Sequence, residues 1–220
     1  RKVIAVEIDG SLMPVLSRVL APFPNVTVLQ GDIMKTDLRA LFNEHFAGMR
    51  VSVCANLPYY ITTPILMLLL ESGLPFSFIT VMVQKEVAQR IAAAPGSEDY
   101  SAFSVFCQYY AEPKLLFEVP AHCFLPQPKV TSAVIQLKVR QNRNWGLADE
   151  SIFFRTVRAS FAMRRKKLSN GLASGFPELG KAGAAQVIAA AGFDPNVRGE
   201  TLSIPEFVRL ANEIVKWRET

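Results

Sequence analysis

The chain has 220 residues, of which 50% are hydrophobic and 20% are charged, so it can bury a core for one large domain and a small one. It contains no run of eighteen or more uninterrupted apolar residues, which argues against a membrane-spanning helix and predicts a soluble, cytoplasmic protein. Three cysteines without CxxC spacing and two scattered histidines argue against a disulfide framework and a metal site.

The net charge of +5 is concentrated near the end of the chain. Residues 1–150 carry 13 basic and 13 acidic side chains, whereas residues 151–220 carry 11 basic and 6 acidic ones. The densest basic point is Arg164-Arg165-Lys166-Lys167. A basic segment beside a neutral domain suits a polyanion such as RNA. A solvated helix face is the alternative interpretation of these four charges.

The first part of the chain alternates β-rich runs with amphipathic stretches, which predicts an α/β fold with a mostly parallel sheet covered by helices. Strands are expected at residues 3–8, 26–30, 51–55, 78–83, 105–110 and 132–139. Helices are expected at residues 11–20, 37–46, 63–71 and 85–94. No clear helix separates the last two strands, so the sheet is expected to end in an antiparallel hairpin.

Residues 141–147 lose this periodicity and mark a domain boundary, which we place between residues 142 and 143. Helical patterns follow at residues 150–162, 166–174, 182–191 and 204–217. Ser203 is the expected N-cap of the last helix, with Pro205 in its first turn. The second domain, residues 143–220, is therefore expected to be small and all-helical.

Polar residues end three of the expected strands. Glu7 follows the first strand, Asp32 the second and Asn56 the third. In a doubly wound sheet a nucleotide-like ligand binds beyond the carboxyl ends of the strands, so these residues are candidate ligands. Acidic residues at such positions also serve as helix caps, and Asp9, which precedes Gly10 and Ser11, suits that role.

The stretch Asn56-Leu57-Pro58-Tyr59 joins a strand to a helix. It suits methylation of an exocyclic amine on a flat base, because the Asn56 oxygen and a backbone carbonyl beside Pro58 could accept the amine hydrogens. Tyr59 could then stack on the extruded base. The alternative is an ordinary strand-to-helix turn, in which Asn and Pro are common.

These motifs together resemble the small-subunit ribosomal RNA adenine N6,N6-dimethyltransferases. The resemblance rests on VIAVEID at residues 3–9, GDI at 31–33 and NLPY at 56–59. It extends to QKEVAQRI at 84–91, FLPQPKVTSAV at 124–134 and RGETLS at 198–203. It therefore spans nearly the whole chain.

The resemblance implies a Rossmann-like methyltransferase domain that binds S-adenosylmethionine, followed by a helical RNA-binding domain. Glu7 would bind the cofactor ribose, Asp32 its adenine amine, and Ile8, Ile33 and Asn56 would complete that pocket. Phe124 and Pro126 would form the wall of the target-base pocket opposite Tyr59. Residues 164–167 would contact the RNA.

The family's glycine-rich turn has no counterpart among residues 1–220, because Gly10, Gly31 and Gly48 form no GxG cluster. Either the methyltransferase domain is N-terminally incomplete here, which the intact Glu7, Asp32 and NLPY motif favour, or the protein has lost its donor site. We therefore expect weak or no cofactor binding and an exposed sheet edge, with reduced stability or self-association.

The resemblance implies dimethylation of two adjacent adenosines in a hairpin near the 3′ end of small-subunit ribosomal RNA, as part of ribosome biogenesis. A large-subunit adenine methyltransferase, a DNA adenine methyltransferase and a non-catalytic ribosome-assembly factor are the alternatives. The missing glycine turn favours the assembly factor, and the intact NLPY motif disfavours it.

Overall fold

The computed structural model describes residues 1–143 and 145–219. Its strands are β1 Val3–Glu7, β2 Val26–Gln30, β3 Val51–Asn56, β4 Phe76–Gln84, β5 Ala111–Val119 and β6 Ser132–Val139. Its first five α-helices are α1 Met13–Leu20, α2 Leu38–Phe46, α3 Thr62–Glu71, α4 Lys85–Ala92 and α5 Ala102–Tyr110. The remaining helices are α6 Glu150–Ala162, α7 Leu168–Gly175, α8 Gly180–Ala190 and α9 Ile204–Glu219.

The strands form two sheets. β1 and β2 make a parallel pair, and the second sheet has the order β3-β4-β6-β5. β3 is parallel to β4, whereas β6 is antiparallel to both β4 and β5. The sheet therefore ends in an antiparallel hairpin as expected, but the first strand of the hairpin is Ala111–Val119 and not residues 105–110. β5 lies at the edge, where Pro113 removes no hydrogen bond from a central ladder.

One hydrophobic core cluster extends from the four-stranded sheet into the helical part. Leu66 of α3 and Ile79 of β4 are fully buried on the sheet side. Phe153 of α6 and Phe207 of α9 are fully buried on the helical side. No helix among the described residues is both long and apolar enough to cross a membrane.

The β1–β2 pair and α1 lie outside this core, and none of their residues is buried. Val3 is 45% exposed, and Val15 and Val19 of α1 are 46% and 57% exposed. Among residues 1–143 and 145–219 the two sheets are not hydrogen-bonded to each other, so β1 and β3 each have a strand neighbour on one side and none on the other. This arrangement agrees with the expected open sheet edge.

The prediction of a strand at residues 105–110 is wrong, because this segment belongs to helix α5. The helix begins with a capping box in which Ser101 and Ser104 each accept the other's backbone N–H group. Six of its nine residues are buried. A helix that is apolar on all sides has no amphipathic period, so its aromatic and β-branched residues read as a strand.

The other expected helices and strands are present with shifts of a few residues at their ends. The last helix begins as expected after Ser203, whose N–H and hydroxyl groups both donate to Glu206 Oε2, at 2.8 and 2.6 Å. The sheet ends at Val139 and every later α or β element is a helix within the described residues. The boundary at residues 142 and 143 stays a prediction.

Side-chain contacts join the sheet-bearing and helical parts. The Tyr109 and Tyr110 hydroxyl groups donate to the two carboxylate oxygens of Glu150 in the first turn of α6, at 3.3 and 2.8 Å. The Tyr100 hydroxyl group donates to the Leu202 carbonyl at 3.0 Å. These contacts cross the region where the sequence analysis places the boundary.

Candidate active site

The two acidic strand ends lie side by side at one edge of the β1–β2 pair. Glu7 pairs in register with Gln30, and its carbonyl accepts the Gly31 N–H group at 2.9 Å. Asp32 follows directly. Parallel pairing therefore brings both carboxylates to the carboxyl ends of neighbouring strands.

Each of these carboxylates uses one oxygen in a local turn. Glu7 Oε1 accepts the Asp9 N–H group at 2.8 Å, and Asp32 Oδ1 accepts the Met34 N–H group at 2.9 Å. Within residues 1–143 and 145–219, the second oxygen of each carboxylate has no hydrogen-bond partner. Asp32 is thus the N-cap of a short 3-10 helix and Glu7 supports a turn, and each retains one carboxylate oxygen that can accept from a ligand.

Asp9 is the N-cap of the short 3-10 helix Gly10–Leu12. Its Oδ1 accepts both the N–H and the hydroxyl group of Ser11, at 2.8 and 2.6 Å. These hydrogen bonds lower the pKa of Asp9. The predicted alternative for this residue is confirmed.

The two apolar residues expected to line the same pocket differ in their surroundings. Ile8 is 67% exposed at the end of β1. Ile33 is partly buried and packs against the core. The turn that contains Ile33 contacts α3, the helix that follows the Asn56 motif. The turn after β2 and the turn after β3 therefore both contact α3.

Asn56 is the last residue of β3 and its side chain is exposed. Leu57 is buried and donates its N–H group to the Met82 carbonyl of β4 at 3.2 Å. Among the described residues, no donor forms a hydrogen bond with the Asn56 side chain or with the Leu57 carbonyl. Two acceptors at the strand end are therefore available to a ligand.

The next carbonyl in the motif is already occupied. Pro58 C=O accepts the Ile61 N–H group and the Thr62 hydroxyl group, both at 3.1 Å. The sequence analysis expects a free carbonyl beside Pro58. Of the Leu57 and Pro58 carbonyls, only that of Leu57 has no donor among the described residues.

Tyr59 is half-buried and its hydroxyl group lies 2.6 Å from Ser132 Oγ. Ser132 begins β6, directly after the loop that contains Phe124 and Pro126. Phe124 is half-buried and Pro126 is exposed. The Tyr59–Ser132 contact therefore joins the NLPY turn to the end of the loop that was expected to form the opposite wall.

Comparison with known proteins identifies the family to which the chain belongs. A sequence model described as ribosomal RNA adenine dimethylase matches residues 1–216. The chain belongs to the ribosomal RNA adenine dimethylase family. It is 47% identical over 214 residues to ribosomal RNA small subunit methyltransferase A of Alkaliphilus oremlandii, covering 97% of this chain and 75% of that protein. The Shouchella clausii protein of the same name is 49% identical over 215 residues, covering 97% and 73%.

Solved structures agree on the fold. A dimethyladenosine transferase from Plasmodium falciparum superposes with a TM-score of 0.83 at 22% identity, over 98% of this chain and 82% of that one. The 23S rRNA methyltransferase ErmE gives a TM-score of 0.69 at 20% identity, over the same shares of the two chains. The Rossmann-like methyltransferase fold expected from the sequence is thus confirmed.

The basic cluster of this family member follows α6, and all four of its side chains are exposed. Arg164 donates to the carbonyls of Ser97 and Glu98 in the loop before α5. Arg165, Lys166 and Lys167 have no side-chain partner among the described residues. The cluster thus divides into one residue with an internal contact and three that are available to a polyanion.

A shallow groove extends this basic surface towards α8. It has a volume of about 370 Å³ and is lined by Met163, Lys166, Asn170, Ala173 and Lys181. Lys181 likewise has no ion-pair partner within the described ranges. Lys166 and Lys181 therefore present two unpaired ammonium groups on one concave surface.

Sequence reasoning missed two residues that hold the NLPY turn, Thr62 and Ser132. Both are buried polar residues, at 2% and 0% exposure. Thr62 lies at the interval from Pro58 at which a helix-start hydroxyl reaches back to a carbonyl, which is a weak sequence signal. Ser132 is 73 residues from Tyr59, and only the fold brings them together.

Proposed function

We propose that this chain transfers methyl groups from S-adenosylmethionine to N6 of adenine in ribosomal RNA, twice per base. The observation that carries the proposal is the pair of available acceptors at the end of β3. The Asn56 side chain and the Leu57 carbonyl have no donor within the described residues, whereas the adjacent Pro58 carbonyl has two.

The chemistry requires these acceptors because the lone pair of an exocyclic amine is delocalised into the ring. Two acceptors aimed at the amine hydrogens favour a pyramidal nitrogen, whose lone pair can attack a methyl carbon. In the first transfer the side-chain oxygen of Asn56 and the carbonyl oxygen of Leu57 accept one hydrogen each, and in the second transfer one of them accepts the single hydrogen that remains. The nitrogen–methyl bond would form as the methyl–sulfur bond breaks, which leaves a neutral thioether. A general base is not obligatory, because the proton can then pass from nitrogen to solvent.

The target base must leave its helix before it reaches these acceptors. Tyr59 stacks on the extruded adenine, and Pro58 restricts the backbone that carries the ring. Phe124 and Pro126 form the opposite wall. The hydrogen bond between Tyr59 and Ser132 supports this arrangement, because it links the two segments that would enclose the base.

The cofactor pocket is proposed at the carboxyl ends of β1, β2 and β3. Glu7 binds the ribose hydroxyl groups and Asp32 the adenine amine, each through the oxygen that its local turn leaves available. Ile8, Ile33 and Asn56 complete the pocket. When bound, S-adenosylmethionine supplies an electrophilic methyl group on a positively charged sulfur.

The RNA contact is proposed on the helical part, at Arg165, Lys166 and Lys167 with Lys181 across the groove. These ammonium and guanidinium groups suit phosphate contacts, which fix orientation on RNA without reading its sequence. Arg164 contributes charge and also contacts the loop before α5. The substrate proposed is the pair of adjacent adenosines in a hairpin near the 3′ end of small-subunit RNA, modified in the cytoplasm during ribosome biogenesis.

The test is transfer of labelled methyl groups from S-adenosylmethionine to unmethylated small ribosomal subunits, followed by mapping of the modified base. Dimethyladenosine at adjacent positions of small-subunit RNA is the expected result. Label in large-subunit RNA alone would contradict the proposed substrate. Binding of small subunits without any transfer would contradict the proposed activity and favour an assembly factor.

A further inference from the structure

Tyr59 is anchored at the far end of its side chain. Its hydroxyl group and Ser132 Oγ are 2.6 Å apart, and Ser132 is fully buried. Ser132 is the first residue of the inner strand β6, and it pairs in register with Gln84 of β4 on one side and Val119 of β5 on the other. The anchor is therefore part of a rigid element.

The neighbouring tyrosine lacks such an anchor. Tyr60 is 88% exposed, and its hydroxyl group has no hydrogen-bond partner within residues 1–143 and 145–219. Two adjacent residues of the same type thus differ in one contact. The contact restrains the direction in which the Tyr59 side chain points (χ1), and no such hydrogen bond restrains Tyr60 among the described residues.

We propose that Ser132 is a positioning residue that holds the Tyr59 ring in place for stacking on the target adenine. The inference rests on the proposed function, because it assumes that Tyr59 is the stacking residue. Ser132 contacts no substrate in this proposal. It acts by limiting movement of the Tyr59 side chain about χ1, so that the stacked base is held where its amine meets Asn56 and the Leu57 carbonyl.

The two partners of this hydrogen bond differ in burial, so variants of each can distinguish an effect on positioning from an effect on stability. Ser132 Oγ has no other partner among the described residues, so Tyr59→Phe leaves a buried hydroxyl group unpaired. Ser132→Ala leaves only the half-buried Tyr59 hydroxyl group, which can reach water. Tyr59→Phe should therefore lower the melting temperature more than Ser132→Ala, and the double variant should regain most of that loss.

The variants should rank differently in kcat than in melting temperature. Both single variants and the double variant lose the same contact, so all three should show the same reduction of kcat, about three- to tenfold for one hydrogen bond. The affinity for RNA should not change. Tyr60→Phe is the matched control, since it removes a phenol hydroxyl group that has no partner, and it should behave as the unmodified chain does.

A second readout reports stacking without turnover. An RNA hairpin with 2-aminopurine at the target adenosine is titrated with the protein, because stacking on an aromatic ring quenches this base. We expect strong quenching with the unmodified chain and with Tyr60→Phe, and weaker quenching at saturation with Ser132→Ala and with the double variant. Unchanged quenching and kcat in Ser132→Ala, even with a lower melting temperature, would overturn the positioning role.

The variant Tyr59→Leu separates failure of this inference from failure of the proposed function. If Tyr59→Leu quenches 2-aminopurine as the unmodified chain does, Tyr59 is not the stacking residue, and both the proposed base pocket and the role of Ser132 are wrong. If Tyr59→Leu loses quenching but Ser132→Ala retains it, only the role of Ser132 is wrong.

Discussion

The Thr62 hydroxyl group donates a hydrogen bond of 3.1 Å to the Pro58 carbonyl, which also accepts the Ile61 N–H group. This pair closes the turn between β3 and α3. It occupies the Pro58 carbonyl, whereas the Leu57 carbonyl has no donor among the described residues. In the proposed mechanism, Thr62 therefore restrains the turn that presents the Leu57 carbonyl to the target amine.

The variant Thr62→Val keeps the shape of the side chain and removes this donor. We expect a loss of about 1 kcal/mol in the free energy of unfolding, the ordinary contribution of one hydrogen bond. Methyl transfer should fall as well, because the turn loses one of its two restraints. Urea unfolding and initial rates of transfer measure the two effects.

Thr63→Val is the matched control for this change. Thr63 is exposed on the same helix and is the next residue in the chain. We expect its unfolding curve and its rate to match those of the unmodified chain. Equal behaviour of the two variants would show that the Thr62 hydroxyl group has no special role in the turn.

Asn56→Ala removes the side-chain acceptor. The rate of methyl transfer should fall by about 100-fold or more, by analogy with loss of one transition-state hydrogen bond in other enzymes. RNA affinity should be retained, because the proposed phosphate contacts lie on the helical part. Filter binding and transfer of labelled methyl groups measure the two properties.

Asn43→Ala serves as the control for Asn56→Ala, since Asn43 is an exposed residue of α2. It should not change the rate. If Asn56→Ala transfers methyl groups at the full rate, the Asn56 amide has no part in the mechanism. The proposed pair of acceptors, Asn56 and the Leu57 carbonyl, would then be wrong.

Arg164 and Arg165 are adjacent in sequence and should respond differently to truncation. Arg164→Ala removes the contacts with the Ser97 and Glu98 carbonyls, so it should lower the melting temperature. Arg165→Ala should leave stability unchanged and weaken RNA binding. The slope of log affinity against log salt should decrease by about 0.7 to 0.9 for each lost phosphate contact.

Lys114→Ala provides a charge-matched control, because Lys114 is exposed on the edge strand β5. Its salt dependence should equal that of the unmodified chain. If Lys114→Ala and Arg165→Ala reduce the slope equally, the cluster acts only through net charge and is no specific contact surface.

Alkaline pH should destabilise the fold through Tyr109 and Tyr110. Burial, reinforced by Glu150, raises the pKa of Tyr109 to about 12 and also raises that of Tyr110. The folded state therefore favours the neutral phenol. This contribution is complete below the ordinary tyrosine pKa of about 10 and is lost as the pH rises towards the folded-state pKa.

Urea unfolding at a series of pH values between 8 and about 11 measures this effect. Tyr110→Phe should flatten the alkaline decline, because the variant has one fewer phenol to ionise on unfolding. Tyr60→Phe changes an exposed tyrosine and should leave the decline as it is. An identical decline in both variants would exclude Tyr110 as its source.

The apolar face of α1 should promote self-association. Val15 and Val19 lie one turn apart and are 46% and 57% exposed, and exposed apolar patches favour association. The double change Val15→Glu and Val19→Glu should lower the concentration-dependent increase in mass seen by light scattering. Ser17→Glu on the same helix is the control for added charge, and an equal reduction there would point to net charge alone.

Local patterns in the chain are enough to predict the class of fold and most residues of the candidate site. Alternating β-rich and amphipathic segments predict the sheet and its helices, because burial on one side of an element leaves a local period in the chain. The strand-end residues Glu7, Asp32 and Asn56 follow from the same pattern, since the end of an apolar run marks the end of a strand. The uneven distribution of charge is likewise found by counting basic and acidic residues in each part of the chain.

Features that depend on contacts between residues far apart in the chain could not be predicted from local patterns. The sequence of helix α5 resembles that of a strand because the helix is buried on nearly every side. The neighbours that bury it cannot be predicted from the local sequence. The occupied carbonyl of Pro58 and the internal contacts of Arg164 require hydrogen-bond partners to be in place. The anchoring of Tyr59 by Ser132 requires β6 to lie beside the NLPY turn, and sheet pairing between residues far apart in the chain achieves this.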